Sequence, residues 1–521
     1  MNLLSRLKPQ PGRWRPGLMY CDQATCLLYA NLRFDEVVRQ LNLADLQDSL
    51  NSAPDQLSRR EAFLHVDQDV KEFNASFAHE QDHLRRQFGT SAGLLCAHLH
   101  SRLVYVFFEL MTAAATRGDP FPFPLLGRVQ RSSAFGEAAG DCKRLFEFHQ
   151  SEMETNQAAL LGLGFSALID AIENGTKPHS RALAEFAAAA LGGDRVFVPQ
   201  EFIDQEQVRF PEGILSARHL YEHMAMLDEL RWLTLLGGSL GNWEKLLTSS
   251  TDYHQLMAVW SKFFPDHEHS QVGTIPEGDL ITDVNRMYSV EFYAILDLAL
   301  WPPFTPAGFA SEFDITWSDL QPGERMLRAI LAFHSSGVEQ TPVTSPQRDE
   351  RFLQVQDAVC GALHWPTPMT LARRWLDYLS GEQWFDDCFL VGQKNEPSIE
   401  IARGVLRERL RRPFSVVLNN LSWGDVATAR FMLWMTAEEN GTRAIHSISP
   451  AEPARAARQS FLAIRGAESM LFGTSNRHQD TILSLKPEFR RETIKAIDAA
   501  CSGDRWDSEY FTENAEEYFS L

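Results

Sequence analysis

The sequence predicts a mainly α-helical fold of the α+β class, with small β elements and a helical C-terminal domain. Three observations predict it. Apolar residues recur at helical spacing along most of the chain, as in Phe34, Val37, Val38, Leu41 and Ala44. Strand-like stretches are few, chiefly Gly17–Leu32 and Val196-Phe197-Val198. At 521 residues the chain is too long for one ordinary core, so two or three domains are expected.

Residues 1–16 are basic and rich in Pro and Gly and read as an irregular arm. Gly17–Leu32 reads as a hairpin, Phe34–Leu50 as a helix, and Ser58–Val70 as a charged surface helix or strand edge. The segment 71–88 is helical by its stripe of Phe73, Phe77, Leu84 and Phe88, with Asn74 or Ser76 as candidate cap and Gly89 as its stop. Leu94–Ala115 is apolar on most sides and reads as a buried helix. Gly118–Gly140, where Pro120, Pro122 and Pro124 alternate with Phe121 and Phe123, reads as a packed surface loop.

Ser151–Ala171 and Arg181–Leu191 read as helices, and Arg195–Ile203 as a strand. Ser216 opens another helix, carrying Leu220, Met224, Leu227 and Leu230. Tyr288–Leu300 is a helix stopped by Trp301-Pro302-Pro303. Further helices are expected at 352–363, 369–379, 399–410, 423–439, 450–471 and 494–501, followed by an acidic tail with four aromatics, solvated or docking on a partner. The expected division is an N-terminal segment 1–70, a metal-binding domain 71–301, a linker region 302–350 and a helical domain 351–521.

Composition narrows the function. A net charge of −20 argues against nucleic-acid binding by phosphate neutralisation. No run of about 18 apolar residues occurs, so no membrane span is expected. The seven scattered cysteines are no disulfide framework, and no apolar leader precedes residue 17; the expected location is cytoplasmic.

The chemistry concentrates in Phe77-Ala78-His79-Glu80-Gln81-Asp82-His83-Leu84. Histidines four apart on a helix share one face, and two imidazoles on one side of a tetrahedral ion suit zinc. Glu80 sits beside them, aimed at the water such an ion would hold. A catalytic site needs a third protein ligand. Glu222 is the first candidate, with His219 and His223 on the same segment as rivals. His98, His100 and the Asp266-His267-Glu268-His269 cluster are weaker candidates for any role.

The pattern His79-Glu80-x-x-His83 with Glu222 downstream resembles the zincin-type zinc metallopeptidases, of the gluzincin kind, over roughly residues 70–240. The resemblance implies a zincin-like helical core, a Zn2+ ion held by His79, His83 and Glu222, and a protein or peptide substrate. It implies Glu80 as proton carrier, and Tyr221, His223 and His98 are candidate donors to the oxyanion. The acidic residue such enzymes place four after the third ligand is here Met226, so Asp228 or Glu229 would have to support the histidine. The metzincin continuation is excluded, because Arg86 and Gly89 stand where it needs Gly and His. Two other readings stay open. One is a non-catalytic helical interaction protein with a structural or vestigial metal site, its C-terminal domain meeting a regulatory partner. The other is a di-iron carboxylate protein, for which a second Glu-x-x-His is missing.

Overall fold

The computed structural model describes residues 19–22, 27–41, 67–117, 123–127, 139–140, 142–143, 146, 215–235, 256, 260, 263, 289–305, 308–309, 317–335, 341, 345–381, 397–417, 433–438, 441–447, 452–473, 482–502 and 504–521. Among them the chain is mostly helical. The expected elements at 151–171, 181–191 and 195–203, and the 266–269 cluster, lie outside the described residues.

The early hairpin forms as expected: β1 (Met19–Cys21) pairs antiparallel with β2 (Leu27–Ala30). Helix α1 (Phe34–Leu41) follows, then α2 (Gln68–Gly89) and α3 (Ser91–Arg117). Beyond them come α4 (Ala217–Leu235), α5 (Val290–Ala299), the short strands β3 (Phe304–Thr305) and β4 (Gly308–Phe309), and α6 (Pro322–His334). The later part holds α7 (Arg348–Leu363), α8 (Pro368–Ser380), α9 (Pro397–Arg411) and α10 (Pro413–Val417). It closes with β5 (Leu433–Ala437), β6 (Arg443–Ser447), α11 (Glu452–Phe472), α12 (Pro487–Cys501) and α13 (Ser508–Phe519).

One expectation is corrected. The helix expected over 423–439 contains strand β5, which joins a four-stranded sheet in the order β1-β2-β5-β6. Its run Leu433-Trp434-Met435 is apolar on both faces because helices cover both sides, and such a run carries no period-2 signal. The expected linker region 302–350 contains α6, which Pro322 opens and whose Met326, Ile330 and Phe333 are buried.

The sheet is the middle layer of three. Leu27, Tyr29, Leu433 and Met435 face a core built with α3, α11, α12 and α13. Leu28, Ala30 and Trp434 face the opposite core, against α2, α8 and α9. A third core joins α4, α5, α6 and α7 to the small residues Ala75 and Ala78 of α2. Each core draws on residues from both sides of the expected domain limits, and β2 pairs in parallel with β5 across more than 400 residues. The acidic tail is also corrected: Phe511 and Phe519 are buried in the chain's own core, and Tyr518 donates to the Ser469 carbonyl at 3.0 Å.

Helix α2 sits where these layers meet, and almost every residue from Lys71 to Gly89 is buried. Its apolar stripe holds it: Phe73 and Phe77 stack on Trp434 with centroids 6.3 and 5.5 Å away. Each such ring contributes about 1.5–3 kcal/mol on burial. The expected caps are corrected. The helix starts at Gln68, Asn74 donates to the Val70 carbonyl at 2.8 Å, and Ser76 bonds elsewhere. Gly89 does end it. A Cβ there would stand 2.6 Å from Val405 Cγ1, so glycine permits the close approach of α9.

A buried helix with so many polar residues needs partners for them. Arg86 donates to Asp82 at 2.5 Å and to the Val417 carbonyl at 3.0 Å. Arg409 forks onto Asp297 with two 2.7 Å bonds and donates to the Gly89 carbonyl at 3.1 Å, tying α9, α5 and the end of α2 together. No helix among the described residues is long and apolar enough to cross a membrane.

Candidate metal centre

Helices α2 and α4 lie antiparallel, since Ser76 meets Glu229 while His83 lies near Glu222. Alanines at 75 and 78 let α4 approach closely. That packing brings His79, His83 and Glu222 together, with one donor atom from each lying within 4.8 Å of the others. His79 Nε2 and His83 Nε2 are 3.2 Å apart, and Glu222 Oε2 stands 3.6 and 3.8 Å from them. Three good metal donors therefore point at one small space. The histidine side chains are 10% and 8% exposed and that of Glu222 is 22% exposed, so solvent reaches the trio from the Glu222 side.

Behind the trio stands a second carboxylate. Glu229 Oε2 lies 2.9 Å from His79 Nδ1, an ion-pair contact rather than a straight hydrogen bond. Ser76 Oγ donates to the other Glu229 oxygen at 2.7 Å. Glu222 and Glu229 are two helical turns apart on α4 and so share a face. A carboxylate on the far nitrogen fixes a histidine's ring and tautomer and raises its basicity as a ligand. Of the two residues expected to supply this support, Glu229 touches His79, while Asp228 lies in the field of Arg85 and Arg86.

Glu80 is buried, and its Oε2 accepts the Cys21 backbone N–H at 2.7 Å. Burial pushes its carboxyl up to about 8, against the pull of His79. Burial pushes His83 down to about 4, which keeps that ring neutral and able to ligate at neutral pH. Burial acts upward on Glu222, but contact with His79 and the neighbouring charges outweigh it and hold the group at about 2. Burial acts downward on His79, yet Glu222 and Glu229 together hold it well above its ordinary value. The same negative field attracts a cation.

Other expected site residues stand elsewhere. The Tyr221 hydroxyl lies 3.4 Å from Thr90 Oγ1, at the C-terminal end of α2, and its ring is buried among apolar side chains. One residue along a helix is about 100° of rotation, which turns Tyr221 away from the direction Glu222 takes. His219 Nδ1 is 2.8 Å from Ser216 Oγ at the start of α4, and His223 meets the Phe292 ring edge-on at 5.8 Å. Neither is in the donor group. His100 Nδ1 lies 2.8 Å from the Cys96 carbonyl on its own helix, and the His98 side chain lies outside the description. Sequence reasoning missed the Cys21 amide and Ser76. A backbone N–H carries no residue-type signal, and Ser76 read as a helix cap.

Neither protein-family models, nor curated proteins, nor solved structures match this chain. The site is read from its own geometry.

Proposed function

We propose that this chain is a zinc-dependent peptidase of zincin-like design that hydrolyses peptide bonds of a protein or peptide substrate. One observation carries the reading: two histidines one turn apart and a carboxylate from an antiparallel helix converge, with Glu229 behind His79 and Glu80 beside the trio. The donor set fits zinc, being two imidazoles and one carboxylate of the catalytic kind. Three protein ligands among the described residues leave a tetrahedral ion one position for water or substrate, whereas a structural ion takes four.

His79, His83 and Glu222 would hold the ion. When bound, zinc supplies Lewis-acid polarisation of the scissile carbonyl and lowers the pKa of water. The charge of a bound ion would oppose the effect of burial and favour the ionised Glu80 carboxylate, which would take the proton from the attacking water and deliver it to the leaving amine, so water adds across the broken C–N bond. The Cys21 amide donates to Oε2 of Glu80 and holds that carboxylate in place. Glu229 steadies the His79 ring. The design departs from the gluzincin pattern in spacing: support for the first histidine comes seven residues after Glu222 instead of four, where Met226 stands buried.

The test is Glu80→Gln in zinc-loaded protein, assayed on an unfolded-protein peptide library. The variant keeps its fold and one zinc per chain and loses cleavage by about 10²–10⁴-fold. Absence of cleavage by the zinc-loaded wild type, with unfolding on chelation, would instead favour a structural metal site.

A further inference from the structure

Glu80 is held in place from the far end of the chain. Strand β1 is three residues long and, among the described residues, lies at the edge of the sheet. Asp22 N–H points inward and donates to the Leu27 carbonyl at 2.8 Å. The amide one residue earlier, Cys21, therefore points outward, where Glu80 takes it. So short an edge strand does little by itself to fix the direction of that N–H.

Asp22 supplies what the strand lacks. Its wholly buried carboxylate is gripped by Arg465 of α11 through two parallel bonds, Nε to Oδ2 at 2.8 Å and Nη2 to Oδ1 at 2.9 Å. Glu468, one turn further on, takes the remaining nitrogen of Arg465. A guanidinium fork fixes both the place and the plane of a carboxylate, which a lysine does not. A buried ion pair adds little stability over an apolar pair of similar size, so orientation is the property this one supplies.

We propose that Arg465 is a positioning residue for Glu80. By clamping Asp22, it sets the Cys21 amide that orients the Glu80 carboxylate beside His79, His83 and Glu222. Its consequence for turnover rests on the peptidase reading; the positioning itself does not.

The experiment is residue-resolved hydrogen exchange on the full zinc-loaded chain, beside steady-state kinetics on a cleaved peptide. The variants are Arg465→Lys, the neutral double variant Asp22→Asn with Arg465→Gln, and Glu80→Ala, which removes the acceptor outright. In the clamp variants, exchange at the Cys21 amide rises to the Glu80→Ala rate, while the amides of β2 and β5 keep wild-type protection. kcat falls about ten- to a hundredfold, with KM and zinc affinity unchanged. Arg465→Lys loses less than the double variant. Unchanged exchange at Cys21 overturns the proposal. So does protection lost across the whole sheet, or failure of both clamp variants to fold, since either makes the pair merely structural. If the wild type cleaves no peptide, the peptidase reading falls and the exchange pattern alone decides the positioning role.

Discussion

Glu229 offers the sharpest quantitative handle on the proposed metal centre. Glu229→Ala removes the carboxylate 2.9 Å from His79 Nδ1 and leaves the three donors of the trio untouched. Two effects add. The His79 ring loses the partner that fixes its rotation, and its nitrogen loses the negative charge that makes it a stronger donor. Loss of such a support costs about ten- to a hundredfold in metal affinity, which is ~1.4–2.7 kcal/mol. Glu229→Gln keeps the shape and loses the charge, so it falls between wild type and Ala. Ser76→Ala removes one 2.7 Å hydrogen bond behind Glu229 and loses least. A hydrogen bond to a charged carboxylate is worth about 1.5–3 kcal/mol, only part of which reaches the ion. The assay is zinc competition against a chromophoric chelator at fixed pH, with circular dichroism to check that each variant is folded. Zinc affinity of Glu229→Ala within twofold of wild type would refute the reasoning, as would a larger loss in Ser76→Ala than in Glu229→Ala.

Two further outcomes are expected. Gly89→Ala drives a Cβ to 2.6 Å from Val405 Cγ1 and destabilises the fold by about 1–3 kcal/mol through overpacking; Val405→Ala in the same chain recovers part of that loss, measured as a double-mutant cycle in urea unfolding. His446, stacked on Phe34 at 4.2 Å, has its pKa lowered by burial, so the unfolded chain binds its proton more readily. Its contribution is absent above about pH 6.5 and destabilises increasingly as pH falls below that value; His446→Phe should flatten this slope in a pH series of unfolding midpoints.

The sequence revealed local facts well and distant ones poorly. His79, Glu80 and His83 were readable because helical spacing alone puts them on neighbouring turns. Glu222 was preferred only through resemblance to a known pattern, and its rivals His219 and His223 are also metal-ligating residue types. What separates them is the rotation of α4, which turns Glu222 and Glu229 to α2 while His223 faces Phe292. Ser76 read as a cap because serine caps helices, and only the depth of its burial beside α4 gives it another use. Strand β5 was hidden by being buried on both faces, and its pairing with β2 leaves no trace in spacing. The Asp22–Arg465 clamp joins residues 443 apart and was illegible for the same reason.

The central claim is that one ion is held by His79, His83 and Glu222. Crystals of the zinc-loaded protein, measured on both sides of the zinc absorption edge, test it most directly. The account predicts a single anomalous peak per chain, bonded to His79 Nε2, His83 Nε2 and a Glu222 oxygen at about 2.0–2.2 Å, and no peak in His83→Ala. A zinc-loaded wild type with no peak between α2 and α4, or with two metal peaks there, would contradict it.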